Sequence, residues 1–455
     1  MRPLDYAINE IINKETTYKL YDYKIDGFSI YSLIRLDVRK SVIRQMGVPS
    51  MQVRGKIRSR KVLFSCVKSF FDVLGMLFSH HQFSNLFMAF PRVDMIDGQY
   101  LDKFTDPLIV CSNLGKDFKI FQPGRAGKHE FPRFNNQFIV NIDFLTAMSF
   151  LLSRIMIEFL PNKSREKFNL LFDSIKRAFP AVDFNYKSLL WTIYITRCNI
   201  YIYEKIIKKK AVKNIFATVR PVDVFIAGNR LGINTYELQH GISYGCSELY
   251  SGYRDELILP KKFLAFGENK PLDTYGIPED RIVNIGFALN TYLHNLPRVE
   301  KPRNNCILVV SDPEITSVLV PIIANLARDN SDFVFFFRCH PHEMLSAEQM
   351  TLLEYSGVKI QDNKINISVA LNQFPIVIGE NSTVMYEAIS CGKKVGKLFF
   401  EGLHPKYLTP SDCVYFWEIS NQEDFKTFLS ASLTEKESKS IYSTFNQKLF
   451  NNLLK

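Results

Sequence analysis

The sequence predicts an α/β protein of two doubly wound units, and three observations lead there. Its 455 residues exceed what one hydrophobic core accommodates, whereas two units of ordinary size fit. From about 306 to 400, short apolar runs alternate with helix-like stretches, the pattern of a parallel sheet wound by helices on both faces. A composition 46% hydrophobic and 23% charged is that of a globular chain and argues against extensive disorder. The 38 Phe and 21 Tyr supply much of the core, with some left for apolar surface.

Taken in order, residues 1–60 mix helical and extended signals around Asp26-Gly27. The longest apolar stretches are 62–79 and 142–160. Lys68 and Asp72 interrupt the first, and Asp143, Arg154 and Glu158 the second. Both therefore read as amphipathic helices, packed on a domain or dipping into a membrane interface, rather than as spans. Residues 165–210 are helical in pattern, with Leu170, Leu171, Ile175 and Phe179, then Leu189, Leu190, Ile193 and Ile195. Short β-like runs follow at 222–227, 234–238, 263–266 and 282–285. The polar stretch 286–305 holds Pro297 and Pro302 and is the best linker. A second series then begins: strands at 307–310, 333–337, 358–360, 375–378 and 394–399, with helices at 315–327, 347–355 and 383–390. The chain accordingly divides into a first domain at 1–290, a linker at 291–305 and a second domain at 306–434. A terminal helix around 435–454 is expected to cross back to the first domain.

The net charge of +11 points to an anionic partner or simply a solvated surface. Arg54, Lys56, Arg58, Arg60 and Lys61 precede the first amphipathic stretch, and Lys205, Lys208, Lys209, Lys210 and Lys213 gather near the end of the helical region. No RNA-binding signature, zinc-finger spacing or helix-turn-helix pattern accompanies them, which disfavours nucleic acid and leaves an anionic membrane surface open. The N-terminus has no apolar segment of a secretory signal. The eight Cys form no CxxC pair and no regular spacing, so neither a disulfide framework nor a metal site is expected. The expectation is a cytoplasmic protein, peripheral at most to the membrane's inner face.

The strongest chemical signal runs from Ile378 through Gly379, Glu380, Asn381, Ser382 and Thr383 to Glu387, closing at Cys391-Gly392. A strand ends, a polar turn follows and a helix starts. Asn381 or Ser382 can cap that helix, whose free N–H groups and positive dipole end form a ready phosphate site. Glu380, Thr383 and Glu387 are spaced to share one helical face, where a carboxylate can hold both ribose hydroxyls. Gly392 is a natural left-handed stop. An ordinary capped βα unit is the bland alternative, and the length of the string weighs against it. A second signal, Arg338-Cys339-His340-Pro341-His342, sits at the end of a strand, where doubly wound folds gather ligands. An imidazole there suits a leaving-group phosphate, so His340 is assigned to the phosphate and His342 is left open. The two His lack a third ligand at recognisable spacing, so no metal is expected. A third signal, Gln239-His240-Gly241, again ends a strand and places an imidazole on a turn that can approach substrate closely.

These segments, with Phe266-Gly267-Glu268 and Ile285-Gly286 between them, resemble bacterial surface-polysaccharide glycosyltransferases of GT-B fold. The relatives are capsule and lipopolysaccharide transferases, including sialyl- and Kdo-transferases with a His-Pro motif, and CDP-glycerol glycerophosphotransferases. The resemblance covers roughly residues 221–400. It implies two Rossmann-like domains facing a cleft and an inverting, metal-independent transfer. The donor would be a nucleotide sugar bound as substrate, with no further cofactor. The acceptor would be a hydroxyl on a glycan, lipid-linked where the basic clusters hold the enzyme to an anionic membrane. His340, Ser382 and Thr383 would contact the donor phosphate and Glu387 the ribose, with Arg338, Glu380 and Asn381 lining the same site. Gln239 and Gly241 would line the acceptor side or the cleft. By similarity to the glycerophosphotransferases, His240 would be the base. In the sialyltransferase-like group the base lies in an acidic pair before Gly, and here only Asp97-Gly98, after Asp94, comes near it. A nucleotide-sugar epimerase or a polyol-phosphate transferase on the same fold, and an inactive assembly partner, stay open beside this reading.

Overall fold

In the computed structural model the described residues are 3–47, 59–91, 93–124, 128–241, 246–252, 255–267, 276–294, 305–313, 315–340, 343–363, 365–380, 382–403, 417–432 and 442–454. Two parallel sheets dominate. The first comprises β1 (Asn85–Met88), β2 (Phe118–Gln122), β3 (Ile139–Asn141), β4 (Asn214–Thr218), β5 (Asn234–Leu238), β6 (Lys262–Ala265) and β7 (Ile282–Asn284). Across the sheet they run β3-β2-β1-β4-β5-β6-β7, each pair parallel. The second comprises β8 (Cys306–Val310), β9 (Val334–Arg338), β10 (Lys359–Ile360), β11 (Ile376–Gly379), β12 (Lys394–Leu398) and β13 (Trp417–Ile419). Its order is β10-β9-β8-β11-β12-β13, again parallel throughout. Each sheet grows first one way and then the other from its first strand, the doubly wound Rossmann-like arrangement. The reversal leaves a crevice at the carboxyl edge, between β1 and β4 in one domain and β8 and β11 in the other.

The strands are nearly unbroken apolar runs because helices cover both faces of a parallel sheet; Ile307, Leu308 and Val309 are fully buried. In the first domain the helices are α1 (Pro3–Thr17), α2 (Ile30–Gln45), α3 (Ser59–Phe78), α4 (Thr105–Ser112), α5 (Asp143–Glu158), α6 (Asn162–Ala178), α7 (Tyr186–Lys210), α8 (Val222–Arg230) and α9 (Ala288–His294). The second domain carries α10 (Thr316–Asp329), α11 (Ala347–Tyr355), α12 (Ile367–Ala370), α13 (Thr383–Ser390) and α14 (Gln422–Ser430), and α15 (Gln447–Leu453) follows. One cluster of buried side chains runs from Phe87 and Leu108 through Leu289 to Leu308, Met385 and Ile389, so the two domains share an apolar seam. A polar lock holds α1 to α2. Glu15 and Arg39, both buried, pair at 2.6 Å, and the Tyr21 and Tyr31 hydroxyls donate to the same carboxylate at 2.9 Å each.

Three expectations need correction. The run 222–227 is the start of helix α8, not a strand. Pro221 opens a helix without losing a hydrogen bond, and burial of Val224, Phe225, Ile226 and Ala227 together removes the polar face that would have revealed helical periodicity. Gly228 lets this helix lie tight on the sheet, since a Cβ there would stand 2.8 Å from the Ile215 and Thr235 side chains. The linker begins late, because α9 occupies 288–294; residues 295–304 lie outside the described set. The terminal helix is short, Gln447–Leu453, and its predicted first part at 435–441 is likewise outside. The chain does return to the first domain. The Ser443 amide donates to the Phe266 carbonyl at 2.7 Å, the Asn446 amide to that of Ile285 at 2.8 Å, and the Tyr236 hydroxyl to that of Leu453 at 2.6 Å. Gly286 makes this docking fit: its φ is +77°, and a Cβ would fall 2.2 Å from the Thr444 carbonyl oxygen.

The basic clusters are only partly free surface. Arg54, Lys56 and Arg58 are outside the described residues, and Arg60 and Lys61 fall in the first turn of α3. Lys210 is buried, its ammonium donating to the Ser79 and His81 carbonyls beyond the end of α3.

Candidate functional site

The carboxyl edge of the second sheet carries the phosphate-type turn. β11 ends at Gly379, and α13 starts at Thr383 with Ser382 as N-cap, its hydroxyl accepting from the Val384 amide at 3.3 Å. Asn381 lies outside the described residues. Thr383 is exposed in the first turn, at the positive end of the helix dipole. Gly392, at φ +69°, ends the unit. Glu380 departs from the expected arrangement. It precedes the helix and is 1% exposed, so it does not share a helical face with Thr383 and Glu387. Glu387 lies on α13 and is itself buried.

The second signal is also partly structural. Arg338 ends β9, and its guanidinium donates to the Gln361 side chain at 2.5 Å and to the Ile365 carbonyl at 2.7 Å. It thus holds the loop after β10. The turn at His340 is stapled to the neighbouring strand. Its amide donates to Glu343 at 2.6 Å, while the other oxygen of that carboxylate accepts from the Ser311 and Thr316 hydroxyls at 2.8 and 2.5 Å. β9 and β11 flank β8, so the turns carrying His340 and Ser382 leave the same carboxyl edge of the sheet. Pro341 and His342 lie outside the described residues.

On the facing domain, Gln239 ties the turn after β5 to the end of β6. Its amide donates to the Leu264 carbonyl at 3.0 Å, its side-chain oxygen accepts from the Phe266 amide at 2.7 Å, and its side-chain nitrogen donates to the Gly241 carbonyl at 2.9 Å. Gln239 is buried and therefore shapes the turn that presents His240. The His240 ring packs against the Phe90–Phe104 pair, at centroid distances of 5.9 and 6.0 Å. Its Nδ1 has no hydrogen-bond partner among the described residues. Burial first, and the Lys103 ammonium second, push its pKa down to about 4. The imidazole is therefore neutral at neutral pH.

Lys103 joins the halves. Its ammonium lies 3.3 Å from Glu387 of α13 and 5.1 Å from the centre of the Phe104 ring. His240, Lys103 and Glu387 thus meet across the domain boundary. A second tie, from the Asn290 side-chain nitrogen to the Ser390 hydroxyl at 2.9 Å, sits on the same α13. Buried Asp102 sets the geometry: its carboxylate accepts from the Phe90 amide at 2.8 Å and the Phe104 amide at 3.0 Å. Asp106 accepts the Asp102 amide at 2.7 Å and pairs with buried Arg133 at 2.5 Å.

Motif reading along the chain passed over Lys103, Asp102, Phe90 and Phe104. The run Asp102-Lys103-Phe104-Thr105-Asp106-Pro107 carries a signal, since acidic residues around Pro mark a helix start. That signal names a cap, not a cleft cation. Asp94 and Asp97-Gly98 form a small hairpin, Asp94–Ile96 with Gln99–Leu101, and no contact among the described residues places them beside His240. Among the described residues, no three His, Cys, Asp or Glu side chains are grouped to hold a metal.

No protein-family model and no curated protein match this chain. Among solved structures it is similar to the UDP-GlcNAc 2-epimerase of Methanocaldococcus jannaschii, at 11% identity and a TM-score of 0.45, covering 82% of this chain and 99% of that one. The epimerase of Neisseria meningitidis bound to UDP-GlcNAc is 13% identical, with a TM-score of 0.46 and coverages of 82% and 98%. The glycosyltransferase SnogD from Streptomyces nogalater is 12% identical, with a TM-score of 0.37 and coverages of 78% and 92%. The fold reading rests on the two strand orders themselves: two Rossmann-like domains joined along a shared apolar seam.

Proposed function

We propose that this protein is a glycosyltransferase that moves a sugar from a nucleotide donor to a hydroxyl of a glycan. The observation that carries the reading is the group His240, Lys103 and Glu387, brought together across the domain boundary at α13. A nucleotide diphosphate suits this place. Helix amides and the Ser382 and Thr383 hydroxyls would receive one phosphate, and Glu387 would take the ribose hydroxyls in exchange for Lys103. The released ammonium is then free to pair with the second phosphate. With His340 at the same edge, departing negative charge meets donors fixed in advance.

His240 supplies the proton acceptor on the opposite wall. Neutral at neutral pH, the imidazole can accept the proton of an acceptor hydroxyl as that oxygen attacks the anomeric carbon and the nucleotide leaves. Unliganded, Lys103 disfavours the imidazolium. A bound diphosphate reverses that field, since negative charge nearby raises a His pKa. Donor binding would therefore switch His240 towards the basicity a general base needs.

Thermal shift across nucleotides and nucleotide sugars tests the donor, because a ligand that binds only the folded state raises Tm. Product analysis with and without added glycan tests the reaction. A sugar altered at one carbon with no acceptor present would identify an epimerase instead. No stabilisation by any nucleotide would refute the donor site.

A further inference from the structure

The outer faces of α3 and α5 point to a binding surface that neither the cleft nor the fold requires. Both helices bury one side on the first sheet, through Val73 and Met76 on α3 and Leu145 on α5. They pack together through Phe70 and Phe144, whose ring centres are 4.9 Å apart. Their opposite sides would ordinarily be polar. On α3 that side is instead Phe64, Val67, Phe71 and Phe78, spaced at three, four and seven residues, with Phe64 75% and Phe78 76% exposed. Beside it stand Leu151 and Ile155 of α5, and Phe159 just beyond it, 80% exposed. An apolar stripe across two neighbouring helices is a contact surface, not scattered exposure.

The charges around it choose the occupant. Lys68 and Arg154 stand among the apolar side chains, and Lys205, Lys208 and Lys209 are exposed on the adjoining α7. Several lie over aromatic rings at the rim: Lys68 over Phe131 at 4.1 Å, Arg154 over Trp191 at 5.6 Å and Lys209 over Phe78 at 5.8 Å. Among the described side chains of α3, α5 and α7, Glu158 is the one exposed acid. A second copy seated on this face by twofold symmetry would set these cations against each other. An anionic lipid surface satisfies both features, since it takes rings and aliphatic chains into its interface and pairs the cations with headgroups. No single helix among the described residues is long and apolar enough to cross a membrane. We propose that the α3–α5 face docks the protein flat on an anionic phospholipid bilayer.

Sedimentation of the full chain with phosphatidylcholine vesicles, with and without phosphatidylglycerol, measures this directly. Wild-type protein should sediment with the anionic vesicles and lose binding as salt is raised. Phe71→Ser with Leu151→Ser should weaken binding by about tenfold per side chain. Lys68→Glu with Arg154→Glu should weaken binding to anionic vesicles alone, by at least about fivefold per cation removed. Quenching of Trp fluorescence by brominated lipid provides a reading on unsubstituted protein. Absence of vesicle binding and quenching in the wild type overturns the proposal, as does binding indifferent to both pairs of substitutions. So does light scattering that shows a wild-type dimer split by Phe71→Ser with Leu151→Ser, which would assign the face to a second copy.

Discussion

Replacing His240 by Gln should remove a defined part of the protein's acid sensitivity. The imidazole is held down to about 4 from an ordinary value near 6.5. Unfolding restores the ordinary value, so below pH 6.5 the unfolded chain binds a proton that the folded chain refuses. Stability therefore falls as pH drops through that window, and it is unaffected by this group above it. At about 1.4 kcal/mol per pH unit, the loss relative to pH 8 is about 2 kcal/mol at pH 5 and about 3 kcal/mol below pH 4. Other buried groups act in the opposite sense. Burial raises Asp102, Asp223 and Glu237, and Asp106 to about 6, so acid alone is not diagnostic. The difference between wild type and His240→Gln isolates the imidazole. Urea unfolding of both proteins at pH 8 and pH 5 should show the variant losing about 2 kcal/mol less. Lys103→Met should recover a smaller part, because burial outweighs the ammonium as the cause. Equal acid losses in wild type and His240→Gln would refute the buried, cation-flanked placement of this ring, and with it the base assignment.

The donor side is tested by Glu387→Ala, which should weaken nucleotide binding by about 1.5–3 kcal/mol, the range for hydrogen bonds to a charged group, as read by calorimetry. In turnover assays, His240→Ala should lose transfer by roughly 10²–10⁴-fold while still binding nucleotide, whereas His340→Ala should also weaken donor binding. Gly286→Ala should destabilise by about 2–3 kcal/mol, through overpacking against Thr444 and strain at positive φ. Its unfolding midpoint, together with proteolysis of the 443–454 segment, would show the loss of docking.

Local pattern made much of the second domain legible. Helices α11 and α13 fall at 347–355 and 383–390 as expected, and strands β8 to β12 lie within a residue or so of the apolar runs that announced them. Periodicity, a capping Ser and a stopping Gly act within a few residues, so sequence alone carries them. The same local logic misread 222–227, because a helix buried on nearly all sides shows no polar face. It also could not tell which polar side chains reach the cleft. Gln239 braces its own turn, Arg338 is drawn into holding the loop after β10, and Glu380 is buried at a strand end.

What the sequence by itself determined is therefore the two-domain α/β class, the capped turn before α13 and the strand-end position of His240. Tertiary structure decided the rest. Lys103 and Glu387 are 284 residues apart, and nothing local to either predicts the other; only the packing of one domain edge against the other makes them neighbours. The low pKa of His240 has the same origin. Phe90, Phe104 and Lys103 surround it from distant parts of the chain, and burial and charge are properties of that assembled environment rather than of a motif.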